Sequence, residues 1–213
     1  MVTQVYDWRE KIIDDELNKV AEILKNGGIV IFPTETVYGI GANAFNEQSV
    51  KRIYEVKNRP DEKPLSIMVS GIEEIEKYAI IQNDIERKII ETFMPGPITV
   101  ILKKKPGVFD YISSGKDTIG IRIPDNKIIL SILNRLKFPI VAPSANISGM
   151  PSGIELKGIL KDFDGKIEAC IDGGKAEIGE GSTIVEVIDG KPVILRQGKI
   201  TIREIQQAIG KEN

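Results

Sequence analysis

The apolar runs at residues 183–188 and 192–195 read as two strands with three residues between them. Parallel neighbours need a crossover of about a dozen residues or more, so these two can pair only as a hairpin. Other strand-like runs alternate with helical patterns, the arrangement that gives parallel neighbours with helices over the sheet. Together they predict an α/β fold: a twisted, mixed, open sheet with helices on its faces, in a single domain over residues 1–213. No internal repeat, low-complexity stretch or linker divides the chain, and its length is ample for one core.

Local signals place the elements. Asp14 is read as the cap of a helix carrying Leu17, Val20, Ala21 and Leu24, ended by Gly27. Ile29-Val30-Ile31-Phe32 is a buried strand stopped by Pro33, followed by a loop holding Thr34, Thr36, Tyr38, Gly39 and Gly41. Asn46 caps the next helix, which brings Lys57 and Arg59 to its C-terminal end, where Pro60 forces an exit. Strands are expected at Leu65–Val69, Ile98–Leu102, Thr118–Ile123, Pro139–Ala142 and 167–171, and helices at 84–93, around Ile129–Leu136 and at 155–161. Thr201 and Glu204 form a capping box for a last helix.

The chain has no histidine and one cysteine. That removes histidine-based proton transfer, histidine metal sites and an internal disulfide. Cys170, in Ile167-Glu168-Ala169-Cys170-Ile171, reads as a buried strand residue. The cysteine-poor composition suits a reducing cytosol. The first residues show no signal peptide, and no run approaches the ~20 apolar residues of a membrane helix, so a cytoplasmic protein without a membrane partner is expected. Formal net charge is -2, which gives no global field for nucleic acid, yet 29 Lys and Arg leave room for a local basic groove.

Gly39-Ile40-Gly41-Ala42-Asn43-Ala44 carries the glycines of a dinucleotide fingerprint, but the preceding strand ends near Phe32 and the next helix begins near Asn46. Neither flank is where that turn needs it, and the glycines are read as permitting a tight turn beside Thr36 and Tyr38. Lys57, Arg59 and Lys63 place three cations in seven residues, stiffened by Pro60 and Pro64. Taken alone they suit a solvated helix end. Ser144 and Asn146 sit on a turn after an apolar run. Arg122 and Arg196 each terminate an apolar run and should emerge at strand ends, where α/β sheets gather ligands. Ser182-Thr183 reads by itself as a turn. The combination points to a multi-arginine anion site, because guanidinium forks suit phosphate and carboxylate.

Phe32-Pro33-Thr34-Glu35-Thr36-Val37-Tyr38-Gly39, Lys57-x-Arg59-Pro60 with Lys63-Pro64-Leu65, Met94-Pro95-Gly96-Pro97, Ile121-Arg122-Ile123-Pro124, Pro143-Ser144-Ala145-Asn146 and Ser182-Thr183-Ile184-Val185 resemble the YrdC family in order and spacing, over nearly the whole chain. The resemblance implies a basic concave cavity and L-threonylcarbamoyladenylate synthase activity. In that reaction L-threonine, bicarbonate or CO2 and ATP, with Mg²⁺, give threonylcarbamoyl-AMP and pyrophosphate. A downstream tRNA threonylcarbamoyltransferase then modifies adenosine 37 of tRNA. The resemblance further implies the family's short form, without the extra C-terminal domain of larger relatives.

It also implies residue roles. Lys57, Arg59, Ser144 and Asn146 are the catalytic set. Arg59, Lys63, Thr118, Ser144, Ser152 and Arg196 surround ATP. Thr36, Arg122, the backbone at Ala142 and Ser182 hold L-threonine, with the Arg122 fork on its carboxylate and Ser182 on its hydroxyl. No protein metal ligand is implied. Two positions depart from many relatives: Met68 stands where histidine is common, and Lys63 where many have asparagine or another residue. The reaction needs no protein nucleophile; positioning and charge neutralisation carry it. The general base stays open between ATP itself and bound water. A non-catalytic member binding double-stranded RNA or tRNA is the alternative reading, and direct tRNA contact is open in both.

Overall fold

Runs of β-branched residues bounded by proline or glycine set most strands, and amphipathic runs between them set the helices. The computed structural model describes residues 2–210. Its strands are β1 (Gln4–Asp7), β2 (Val30–Phe32), β3 (Gly39–Asn43), β4 (Ser66–Met68), β5 (Ala79–Ile80), β6 (Ile98–Lys104), β7 (Thr118–Arg122), β8 (Ile140–Val141), β9 (Ala169–Asp172), β10 (Thr183–Ile188) and β11 (Lys191–Arg196). The helices are α1 (Asp14–Lys25), α2 (Glu47–Lys57), α3 (Ile72–Tyr78), α4 (Asp84–Phe93), α5 (Asp110–Ser113), α6 (Lys127–Leu136), α7 (Leu156–Phe163) and α8 (Ile202–Ala208).

All the strands join one mixed sheet in the order β1-β9-β2-β3-β8-β4-β7-β6-β10-β11, with β5 pairing β6. β1 and β2 flank β9 in parallel, and β4–β7 and β6–β10 are parallel. The pairs β2–β3, β3–β8, β4–β8, β6–β7 and β10–β11 are antiparallel. The hairpin demanded by the short 189–190 connection is therefore present. No helix among the described residues is long and apolar enough to cross a membrane.

Side chains alternate across the sheet. Val30 and Phe32 face a core with α1 and α6, while Ile29 and Ile31 face a larger core with α2, α4, α7 and α8. Burial on both sides explains why these strands read as continuous apolar runs. Cys170 is buried in β9 between β1 and β2, and burial pushes its thiol up to about 12. Asn46 accepts from the Ser49 N–H at the start of α2, and the Thr201–Glu204 capping box opens α8. Each such cap is worth ~1 kcal/mol. Asp14 is the first residue of α1 rather than its cap; Ile13 holds that position without a side-chain bond.

The main departure from the sequence reading is β3, expected as a loop. Neither Gly39 nor Gly41 has a positive φ. A Cβ at Gly39 would lie 2.8 Å from the Phe32 ring, and one at Gly41 would lie 2.6 Å from it. The glycines thus let two antiparallel strands close around a buried phenylalanine, rather than permitting a tight turn. Gly41→Ala is expected to lower stability by about 1–3 kcal/mol through overpacking, read as a lower denaturant midpoint, with Phe32→Leu restoring part of the loss. An unchanged midpoint would show that the ring yields freely.

Candidate active site

Strand ends and three loops converge on an open cleft of about 800 Å³, the solvent space at its mouth included. Met68, Arg122 and Arg196, the last residues of β4, β7 and β11, reach it. Thr99 of β6 and Ile184 of β10 enter near the starts of their strands. The Thr34–Tyr38, Ala142–Ser144 and Gly181–Ser182 segments complete much of the wall.

Arg122 is only 5% exposed, and its plane is fixed. Nε donates to Gly96 O at 3.2 Å, and Nη2 donates to Glu35 Oε1 at 2.6 Å and Thr36 Oγ1 at 3.0 Å. Thr34 Oγ1 donates to Val37 O at 2.6 Å, so its 2.8 Å contact with Thr36 Oγ1 is donated by Thr36. One prong of the Arg122 fork is therefore committed within the protein, and Nη1 is the nitrogen left for a ligand.

Arg196 donates through Nε and Nη2 to Ser182 O at 3.1 and 2.8 Å, and through Nη2 to Ser182 Oγ at 3.1 Å. Ser182 Oγ also pairs with Thr99 Oγ1 at 2.8 Å. A Cβ at Gly181 would stand 3.1 Å from Arg196 Nη2, so glycine leaves space for the guanidinium. Burial, followed by the charges of Arg122 and Arg59, pushes Arg196 below its ordinary pKa. Burial does the same to Arg59. Arg59 is steered by the Lys63 and Pro64 carbonyls, which accept from Nε at 3.3 Å and Nη2 at 2.9 Å. Three guanidinium groups close enough to feel one another make a strong anion site.

Lys57 stands behind this wall, 2% exposed. Its ammonium donates to the carbonyls of Ser144 and Asn146 at 2.5 and 2.6 Å. Burial, with Arg59 adding to it, pushes the Lys57 ammonium down to about 7. The two carbonyls oppose that shift, since they favour the charged form. Asn146 accepts from Ser144 Oγ at 2.6 Å and donates to Ile147 O and Met150 O at 2.9 and 2.8 Å. Ser144 therefore faces the cavity while Lys57 and Asn146 hold it there.

The structure brings Thr36, Arg59, Arg122, Ala142, Ser144, Ser152, Ser182 and Arg196 to the cavity wall. Four expected site residues stand outside that lining. Lys57 and Asn146 act from behind it. The Lys63 side chain is exposed, and its carbonyl, not its ammonium, meets Arg59 and Tyr54. Thr118 begins β7 four residues before Arg122, about 13 Å along the strand. Sequence reasoning assigned no role to Thr34, Glu35 or Thr99. Thr99 carries no local signal; the β6–β10 register places it beside Ser182.

Fold and cavity together define an open-sheet α/β protein with a cavity walled by guanidinium and hydroxyl groups. Residues 22–198 match the Sua5/YciO/YrdC family model, described as telomere recombination, and the chain belongs to that family. The threonylcarbamoyl-AMP synthase of Pyrococcus abyssi is 40% identical over 210 residues, 99% of this chain and 62% of that protein. A Methanocaldococcus jannaschii protein provisionally assigned the same activity is 45% identical over 210 residues, 96% of each chain. The crystal structure of Pyrococcus abyssi Sua5 complexed with L-threonine matches with a TM-score of 0.94 at 41% identity, covering 98% of this chain and 62% of that one. This chain thus spans about three fifths of the Pyrococcus abyssi relative.

The buried ammonium has a measurable signature. Between pH 7 and the ordinary lysine value of 10.5, the unfolded chain holds a proton at Lys57 that the folded chain has released. Stability contributed at this position therefore rises with pH across that window, and below it the burial cost is borne in full. Lys57→Met should destabilise by about 1–3 kcal/mol, since two carbonyls lose their donor. The loss should grow between pH 7 and pH 10 in paired denaturant titrations. A pH-independent difference would show that Lys57 stays charged throughout.

Proposed function

We propose that the chain is an L-threonylcarbamoyladenylate synthase: L-threonine, bicarbonate and ATP give threonylcarbamoyl-AMP, pyrophosphate and water. The observation that carries this reading is the direct contact between Ser182, on the amino-acid side, and Arg196, on the phosphate side. A cavity with one end for an amino acid and the other for phosphates brings the two reacting groups together at that border. The likeness to a threonylcarbamoyl-AMP synthase, and to a solved relative that holds L-threonine, supports the same assignment.

In this mechanism Arg122 Nη1 takes the threonine carboxylate and the Ser182–Thr99 pair takes its hydroxyl. The amine adds to CO2, or to bicarbonate with loss of water, and releases a proton to solvent or ATP. The carbamate oxygen forms a bond to the α-phosphorus as the bond to pyrophosphate breaks, and pyrophosphate leaves with the electron pair. Arg59 and Arg196 neutralise charge on the phosphates, and Ser144 orients them. The wall offers hydroxyls, backbone groups and guanidiniums, which do not suit a resident divalent ion, so Mg²⁺ enters as part of the MgATP substrate. The product would pass to a tRNA threonylcarbamoyltransferase acting on adenosine 37. Lone, buried Cys170 suits a reducing compartment, and the proposal places the reaction in the cytoplasm.

Pyrophosphate release should require threonine and bicarbonate together. Arg59→Ala should lower turnover by more than tenfold, a barrier increase of ~1.4 kcal/mol or more, with the fold intact. Salt-dependent RNA binding without pyrophosphate release would favour the RNA-binding reading instead. Ser182→Ala keeps the main-chain carbonyl that positions Arg196. It should therefore spare ATP binding while shrinking the preference for threonine over 2-aminobutyrate, which lacks the hydroxyl. Calorimetry with both ligands decides this, and loss of ATP affinity alone would overturn the division of the cavity.

A further inference from the structure

Glu35 is 6% exposed, and its Oε1 forms a 2.6 Å ion pair with Arg122. Its Oε2 is the buried side-chain atom that finds no hydrogen-bond partner among the described residues. Burying a carboxylate is costly, and a half-satisfied one more so. Packing of Arg122 does not require it, because Gly96 O and Thr36 Oγ1 already fix the guanidinium. Among the described residues the other two cavity arginines have no such partner: Arg59 donates to carbonyls, and Arg196 to Ser182.

We propose that Glu35 divides the cavity electrostatically, cancelling the charge of Arg122 so that this end selects a zwitterionic amino acid over an anion. The inference rests on the threonine reading above. A carboxylate by itself would be welcome at any of three guanidiniums. An ammonium would be repelled by all of them, since opposing like charges disfavour the charged form. The Glu35–Arg122 ion pair is neutral overall. Nη1 still donates to the ligand carboxylate, and the ligand ammonium meets a balanced field. Arg59 and Arg196 keep their net positive charge for the phosphates. The same arrangement discourages a phosphate or a second carboxylate from settling at the amino-acid end, which would block the cavity with its own co-substrate. Glu35 touches no substrate in this account; it sets charge and orientation through Arg122.

The test compares L-threonine with 2,3-dihydroxybutanoate of the same configuration, in which a hydroxyl replaces the ammonium and the rest is kept. Both are titrated calorimetrically into the wild-type chain, Glu35→Gln and Glu35→Asp. The wild type is expected to bind threonine at least tenfold more tightly than the anion. Glu35→Gln keeps the shape and an acceptor for Arg122 but removes the charge, and should shrink that ratio at least tenfold. Glu35→Asp should move the ratio back toward the wild-type value. Equal weakening of both ligands in Glu35→Gln would mean that the carboxylate only props up Arg122, and the proposal fails. Equal affinity of the wild type for both ligands overturns it as well, and needs no variant to fold. Absence of threonine binding to the wild type overturns the substrate reading itself and this inference with it, whereas threonine binding with an unmoved ratio overturns this inference alone.

Discussion

Lys57 ties together parts of the chain that secondary structure alone leaves independent. It is the last residue of α2, and its ammonium reaches carbonyls 87 and 89 residues later. Its own carbonyl accepts from the Ser148 N–H at 2.8 Å, so main chain and side chain grip the same loop. Immediately afterwards Asn58 takes a left-handed conformation and turns the backbone, which delivers Arg59 to the cavity wall. One buried side chain thus fixes both the loop that presents Ser144 and the exit that presents Arg59. Its acceptors are two carbonyls rather than a carboxylate, which leaves the positive field of neighbouring Arg59 uncancelled.

The rest of the cavity follows the same logic of prior restraint. Arg122 is bonded by Gly96, Glu35 and Thr36, and Thr36 by Thr34. Arg196 is bonded by Ser182, and Ser182 by Thr99. The segment after β9 closes over these residues, with Ile178 N–H donating to Glu35 O and Gly179 N–H to Thr36 O at 2.9 Å each. Groups held this way need little reorganisation when charge develops near them, which is what the proposed reaction, with no histidine to move a proton, would ask of them.

Local grammar made much of this legible. Asn46 and the Thr201–Glu204 pair announce their helices, Pro33 follows directly on β2, and the two terminal arginines sit at strand ends as their flanking runs imply. What local grammar misses is pairing across the chain. Gly39 and Gly41 look like turn residues until Phe32 is seen against them. Thr99 gains meaning only from the register of β6 with β10, and Glu35 only from the arrival of Arg122 from 87 residues away. Lys57 reads from its neighbours as one of a cluster of cations, but whether its amine faces a ligand or a carbonyl depends on where a distant loop comes to rest.

Cys170 gives the chain a built-in clock. It is the single thiol, and β9 carries it between β1 and β2, paired with Val5 on one side and Ile31 on the other. With its thiol pushed up to about 12, hardly any nucleophilic thiolate exists while the sheet is closed. The Cys170 side chain lies in the core that includes Leu156, Ile159 and Phe163 of α7, so alkylation waits for that layer to lift, and when reclosing is fast the labelling rate equals the open fraction times the rate for a free thiol. The opening of the core over β9 is therefore readable in the native chain, without an added cysteine or a substitution.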